Sequence, residues 1–278
     1  MSKLVKMCAV FLPIGIVTSI AGGIIMASNE EPHFDISTSE EVYETSIVGD
    51  EYDDYDDDSE IVYNSNEADS VVLNCKAATI DIHKSENYTV NTDELEENQF
   101  SVSNSDRTIN IAYNNEQNDD SDNDEISVGI PRSCKSITIQ CNAGDITIDE
   151  FMGNTMEISV DCGNIEINNS NISDSCVIKN TLGNAYFYGS DITGLDADMV
   201  SGNISIYSTM LSGSNDLNID VGNANLTFKG YPSDYTINAN VKVGEIECDY
   251  DLSENTYSED KVNISILAGD CSIDFYNE

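Results

Sequence analysis

Any acid–base chemistry in this chain would fall to carboxylates. The sequence carries 52 Asp and Glu against 11 Lys and Arg, with two histidines, His33 and His83. A lyase needs a base, often beside a metal held between acidic groups. Arg107 and Arg132 precede the regular part of the chain. From Gly144 onward the basic side chains are Lys179, Lys229, Lys242 and Lys261, scattered without a cluster. No Gly-x-Ser-x-Gly, His-Glu-x-x-His or P-loop motif occurs. A glycosidase can work with two carboxylates alone, so a carboxylate-based polysaccharide-active enzyme is the enzymatic alternative. Outward Asp or Glu on a strand is ordinarily a solvated face. The sequence therefore nominates no catalytic, cofactor-binding or metal-binding residue and no cofactor, and it reads as a protein that is not an enzyme.

Thiols and tyrosines are the remaining reactive or adhesive groups. Cys8 lies in an apolar N-terminal segment, leaving Cys75, Cys134, Cys141, Cys162, Cys176, Cys248 and Cys271. An odd number outside that segment does not suggest a closed disulfide framework. No Cys-x-x-Cys pair suggests zinc. Cys75, Cys141, Cys248 and Cys271 fall on inward positions of the pattern described below, where cysteine acts as a small hydrophobe. Cys134 and Cys176 fall on the outward side. Tyr207, Tyr231 and Tyr235 are expected to be exposed, where their rings could stack on sugars or protein. The plainer reading is that they close apolar columns at corners.

The net charge of −41 repels phosphate backbones and anionic headgroups, which excludes nucleic acid as a partner. Two acidic runs, Gly49–Glu60 and Asn118–Glu125, lack the glycine and the spaced glutamate of an EF-hand loop. They are expected to hold divalent cations weakly and without defined geometry.

The elements that would position these groups follow in order. Residues 1–6 carry Lys3 and Lys6. Met7–Ala27 is uncharged and long enough to span a membrane. The positive-inside bias places the N-terminus in the cytoplasm and the rest outside, a single-pass anchor. A cleaved signal peptide ending near Ala27 is the alternative. Residues 28–69 read as an acidic disordered linker. Residues 70–278 read as one extracytoplasmic repeat domain.

The repeat is a glycine followed by Asp, Asn or Glu: Gly144, Gly163, Gly183, Gly202, Gly222, Gly244 and Gly269, at spacings of 19, 20, 19, 20, 22 and 25 residues. Columns counted from the glycine are apolar. Four residues after it stand Ile148, Ile167, Phe187, Ile206, Leu226, Cys248 and Ile273. Two after it stand Ile146, Ile165, Ala185, Ile204, Ala224, Ile246 and Cys271. The columns three and five before it are apolar apart from Asn180. Period-two alternation on both sides means strands with one face in and one out. The phase slips at the glycine, so the residue just before it should also point inward. A further inward column is Ile172, Ile192, Leu211 and Tyr231. One unit cannot bury enough to fold alone, and stacking of units resolves this. The fold class expected is all-β, a single-stack parallel β-solenoid of about seven to eight rungs, with an antiparallel sandwich as the competitor. Val71, Leu73, Cys75, Ile80 and Ile82 form a degenerate rung with Ala78 in the glycine place. From Tyr88 to Ile130 the register is lost, and Phe100, Val102, Ile109 and Ile111 suggest a hairpin or cap.

The stretch Glu125–Asp149, with Ile130-Pro131 ending a strand and Gly144 to Ile148 opening the repeats, resembles a bacterial membrane-anchored candidate-adhesin family, a domain of unknown function. The resemblance covers about Ser70 to Phe275. It implies a surface β-solenoid and supplies no catalytic residues. The expected role is a non-catalytic cell-surface module, adhesin-like or an envelope scaffold, with a surface protein or a glycan as partner. The alternative is a partner-binding accessory of a membrane signalling or envelope-stress system.

Overall fold

The computed structural model describes residues 60–63, 68–91, 100–114, 124–251 and 258–277. Apart from a 3₁₀ turn at Pro232–Asp234, these residues form strands, turns and loops. The strand before each corner glycine and the strand after it belong to two parallel ladders. Ser136–Ala143 leads into Gly144, and Ile146–Asp149 leaves it. The next unit repeats this with Met152–Cys162 and Ile165–Asn168, paired in register on the first. A third, shorter ladder runs through Ile172, Ile192 and Leu211. The apolar columns face each other between these walls, and Ile148, Ile167 and Phe187 are fully buried. Small and large residues alternate within a unit, as in Ala185 with Phe187 and Ala197 with Met199, which keeps the interior filled.

The corners explain the glycine. Gly202 has φ +149°, and a Cβ added there would sit 1.6 Å from the Gly183 carbonyl oxygen. The same contact joins Gly163 to Gly144 and Gly222 to Gly202, so the backbones touch at one line down the stack. Asp or Asn follows because its side chain builds a second ladder. Asn164 donates through its backbone N and Nδ2 to Asp145 Oδ1, at 2.7 and 3.0 Å. Asn184, Asn203 and Asn223 repeat this upward. The Asp270 N–H continues the series on Asn223 Oδ1, and the Glu245 N–H ends it on Asp270 Oδ1.

Several expectations are corrected. The residue before the glycine does not point in: Cys162 and Leu182 are half-buried, and Val221 and Val243 are exposed. The corner glycine's φ turns the chain one residue later than strict alternation assumes. Cys134 and Cys176 are buried, not outward. Cys176 lies in the first ladder beside Met156 and Leu195. Asn180, the break in its column, is buried and donates Nδ2 to Gly163 O at 2.8 Å.

Chain order and stack order part company at both ends. Lys261–Ala268 pairs on one side with Ser214–Val221 and on the other with Thr236–Val241. Cys271–Tyr276 likewise lies between Ala224–Lys229 and Ile246–Cys248. The Gly269 unit therefore sits inside, and the Gly244 unit stacks on its far side. This is why Ile246, expected inward, is exposed. At the other end, Ser70–Ala77 pairs with both Ser136–Ala143 and Thr108–Tyr113. Thr79–Lys84 pairs with both Ile146–Asp149 and Glu125–Ile130. The register is thus kept, not lost, through Ile109, Ile111, Ile126 and Val128, all buried. The expected hairpin is there, with Phe100–Ser105 antiparallel to Thr108–Tyr113. Tyr88–Asn91 runs antiparallel to Glu125–Ile130, and Glu60–Tyr63, from the stretch read as linker, pairs with Tyr88–Asn91. Antiparallel strands covering the end of a parallel stack protect its edge.

Among the described residues no helix is long and apolar enough to cross a membrane. The candidate span Met7–Ala27, the acidic run up to Ser59 and most of the second acidic run lie outside the described residues.

Candidate functional site

Outward positions three and five residues after each glycine form the outer face of the second ladder. In the Gly183 unit both are tyrosines, and the Tyr186 and Tyr188 rings stack with centroids 6.1 Å apart and planes 7° apart. In-register pairing sets Tyr188 beside Tyr207. Tyr207 faces Tyr276 at 6.4 Å between centroids and 30° between planes. Tyr188 and Tyr207 stand in adjacent layers and Tyr276 two layers beyond Tyr207, past Thr227 and Lys229, so the three rings form one aromatic surface, each exposed, Tyr207 by 55%. Burial against its neighbours, Glu166 and Tyr186 raises the Tyr188 hydroxyl above its ordinary pKa, so it stays a neutral donor.

Beside these rings lies a shallow cavity of about 380 Å³, lined by Gly189, Ser208, Lys229, Gly230, Tyr231, Tyr276 and Asn277. Its floor is the second corner of the solenoid, where Ser208 takes φ +50°. Lys229 Nζ reaches Asp191 Oδ1 at 3.6 Å, both side chains part-exposed. A second groove of about 590 Å³ shares Lys229 and Gly230 and continues past Met210, Asp234 and Asp260. Flat rings, a lysine–aspartate pair and a hydroxyl can stack on and hydrogen-bond a sugar or a peptide side chain.

The sequence-nominated tyrosines divide here. Tyr231 lines the cavity and is 58% exposed, so it leaves the apolar column in which it was expected. Pro232 opens the 3₁₀ turn, and the chain re-enters the interior at Tyr235. Tyr235, expected to be exposed, is buried against Phe228 at 5.2 Å and donates its hydroxyl to Lys229 O at 2.6 Å. Burial pushes its hydroxyl pKa up to about 12. Tyr188 and Tyr276 were missed. Tyr188 was legible, since it stands five after Gly183 as Tyr207 stands five after Gly202.

Most other charged groups with resolved partners serve the cap. Arg107 donates from Nη2 to Asp69 Oδ2 at 3.1 Å, and Lys135 reaches the same oxygen at 3.4 Å. Arg107 is the main reason the Asp69 carboxyl lies below its usual range. Lys84 meets Glu150 at 2.8 Å. The Asp196 carboxyl is held above its usual range, by partial burial and then by Asp198 and Asp216. It lies on the flat outer face of Leu195–Ser201, in register with Asp216, and lines neither cavity. Among the described residues no group of three or more His, Cys, Asp or Glu side chains is placed to hold a metal ion.

The Toastrack DUF4097 family profile matches residues 120–275. No curated protein matches the sequence significantly. Solved structures that it resembles include a candidate cell adhesion protein from Clostridium sporogenes, at 11% identity and TM-score 0.36, covering 80% of this chain and 99% of that one. A candidate adhesin from Bacteroides fragilis aligns at 11% identity and TM-score 0.30, over 78% and 96% of the two chains. One from Parabacteroides distasonis aligns at 12% and 0.30, over 79% and 96%.

Proposed function

We propose, because this chain belongs to the Toastrack DUF4097 family, that it is a non-catalytic module displayed at a cell surface, adhesin-like or an envelope scaffold. The observation that carries this reading is the contiguous Tyr188, Tyr207 and Tyr276 surface beside the Lys229–Asp191 pair. It offers stacking and hydrogen bonding without a nucleophile paired to a base. In this reading Met7–Ala27 is the membrane anchor, the N-terminus is cytoplasmic and the solenoid is outside. Residues 28–59 would hold it roughly 30 Å from the bilayer as a flexible coil. The partner is a surface protein or a neutral glycan, since the charge of −41 opposes anionic polymers. Partners suited to a scaffold extend to a membrane signalling or envelope-stress component, which the same face could dock. Weak divalent cation binding by the acidic runs would be incidental.

The test uses cells displaying the full chain. Protease added to intact cells should release a compact fragment by cutting in 28–59. Attachment to immobilised glycans and envelope should fall with Tyr207→Ser and Tyr276→Ser, by roughly 3- to 10-fold for each ring lost. Full protection from protease until lysis would reject the topology. Unchanged attachment in the double variant would reject the tyrosine face. Polysaccharide hydrolysis or lyase turnover, abolished by Asp196→Asn, would replace the whole reading with a carboxylate enzyme.

A further inference from the structure

Cys75 and Cys141 stand opposite each other in adjacent parallel strands, in register. Their Sγ atoms are 2.9 Å apart. In-register parallel strands lie about 4.8 Å apart, inside the Cα separation of roughly 4.4–6.8 Å that a disulfide spans. Closing to a bond of about 2.05 Å needs less than about 1 Å of movement. Both side chains point into the interior and are buried. No other described pair of cysteines is matched across a ladder: Cys176 sits beside Met156 and Leu195, and Cys271 beside Ala224 and Ile246.

We infer that Cys75 and Cys141 form a redox-dependent disulfide that clamps the Ala78 unit to the Gly144 unit. The Cys75 thiol donates to the Cys141 sulfur, which draws the Cys141 thiol below its ordinary pKa and pushes the Cys75 thiol up. Cys141 is therefore the first nucleophile. Its thiolate attacks one sulfur of a small-molecule disulfide, forming a mixed disulfide and expelling a thiolate. The Cys75 thiolate then attacks the Cys141 sulfur and expels the second thiolate. The two cysteine protons end on the two released thiols. The cysteine sulfurs lose two electrons and the small disulfide gains them. Burial restricts the exchange to folding, or to moments when the two units part.

The bond would tie residues 66 apart in sequence, enclosing the antiparallel cap. Constraining a loop of that length shifts the unfolding equilibrium by on the order of 10³-fold in the chain-entropy picture. The cap end of the solenoid would then be locked where thiols are oxidised and released where they are reduced.

The full chain is unfolded and refolded in oxidised or reduced glutathione, then alkylated in denaturant and digested. The expected result in oxidised glutathione is a peptide pair joined through Cys75 and Cys141. A lower unfolding constant should appear only in the oxidised sample. Cys75→Ala removes both effects, and Cys176→Ala keeps them. Quantitative alkylation of Cys75 and Cys141 after oxidative refolding overturns the inference, as does a redox-dependent stability that survives Cys75→Ala. Peptide mapping of the unsubstituted chain decides the matter even where a variant folds poorly.

Discussion

Replacing Gly202 by alanine tests whether the corner column holds the solenoid together. The new Cβ would sit 1.6 Å from the Gly183 carbonyl oxygen and 2.6 Å from its carbon. Real Cβ atoms do not come within 3.0 Å of such neighbours, so the corner must open by about 1.4 Å or abandon its φ of +149°. Opening stretches the bonds from Gly183 N to Ser201 O and from Ala185 N to Asn203 O, at 3.0 and 2.9 Å. Each backbone bond lost in a closed interior costs about 1–3 kcal/mol. The strained φ of an L residue adds about 1–3 kcal/mol. The expected loss is about 3–9 kcal/mol, enough to unfold a domain of ordinary stability at about 5–15 kcal/mol. Gly213→Ala is the control. Gly213 also has positive φ, +75°, but its added Cβ meets nothing nearer than Thr193 Cγ2 at 3.6 Å. That change should cost only about 1–2 kcal/mol. Urea titration followed by circular dichroism measures both. Losses agreeing within about 1 kcal/mol would refute the argument that backbone contact, rather than φ alone, demands glycine.

Two further outcomes follow from the same structure. Ile206 is buried between Phe187 and Leu226 in neighbouring units, so Ile206→Asp should cost several kcal/mol, whereas Ser205→Asp, facing out, should cost under about 0.5 kcal/mol; similar melting temperatures would show the phase to be wrong. The Asp196 carboxyl is raised in the folded state, so the folded chain binds more protons there than the unfolded chain between the two pKa values. Its contribution to stability therefore grows as pH falls through the folded value and fades as pH rises. Asp196→Asn should raise the unfolding midpoint at pH 7 and flatten its dependence on acidification, and an unchanged pH profile would reject the assignment.

The columns were legible because burial and a fixed period leave the same mark on every unit: Ile148, Ile167, Phe187 and Ile206 announce one buried line. Cys75 was also placed correctly in its inward phase, though its facing Cys141 became visible only once the strands were paired. What alternation could not show was anything set by a turn. The residue before each glycine lost its inward place to the glycine's own φ. Tyr231, counted both among the exposed rings and on an inward column, is exposed, and Tyr235, expected exposed, takes the inward place, because a proline-led 3₁₀ turn intervenes. Cys176 was legible, since it continues inward the alternation of Ile178 and Asn180, whereas Cys134 precedes the strand Ser136–Ala143, where alternation does not reach it. Pairing order was invisible for a different reason. The Gly244 and Gly269 units carry equivalent patterns, and nothing in a repeat motif says which of two alike layers lies inside. The aromatic face was half legible, since Tyr207 was flagged while Tyr188, at the equivalent position, was passed over.

That exchange of layers limits how such a chain can change length. Lys261–Tyr276 is wedged between the Gly222 and Gly244 units, and Ser70–Lys84 is wedged between the Gly144 unit and Thr108–Ile130. At either extremity a duplicated repeat would have to thread past a segment that already doubles back, and its ladder partners would be the wrong ones. Between Gly144 and Gly222 each layer touches only its predecessor and its successor in sequence. A tandem copy inserted there inherits complementary neighbours on both sides and lengthens the asparagine line by one step. Gene-level growth or shrinkage of the rod is therefore channelled into its middle, while the doubled-back extremities stay constant and define how long a viable rod must at least be.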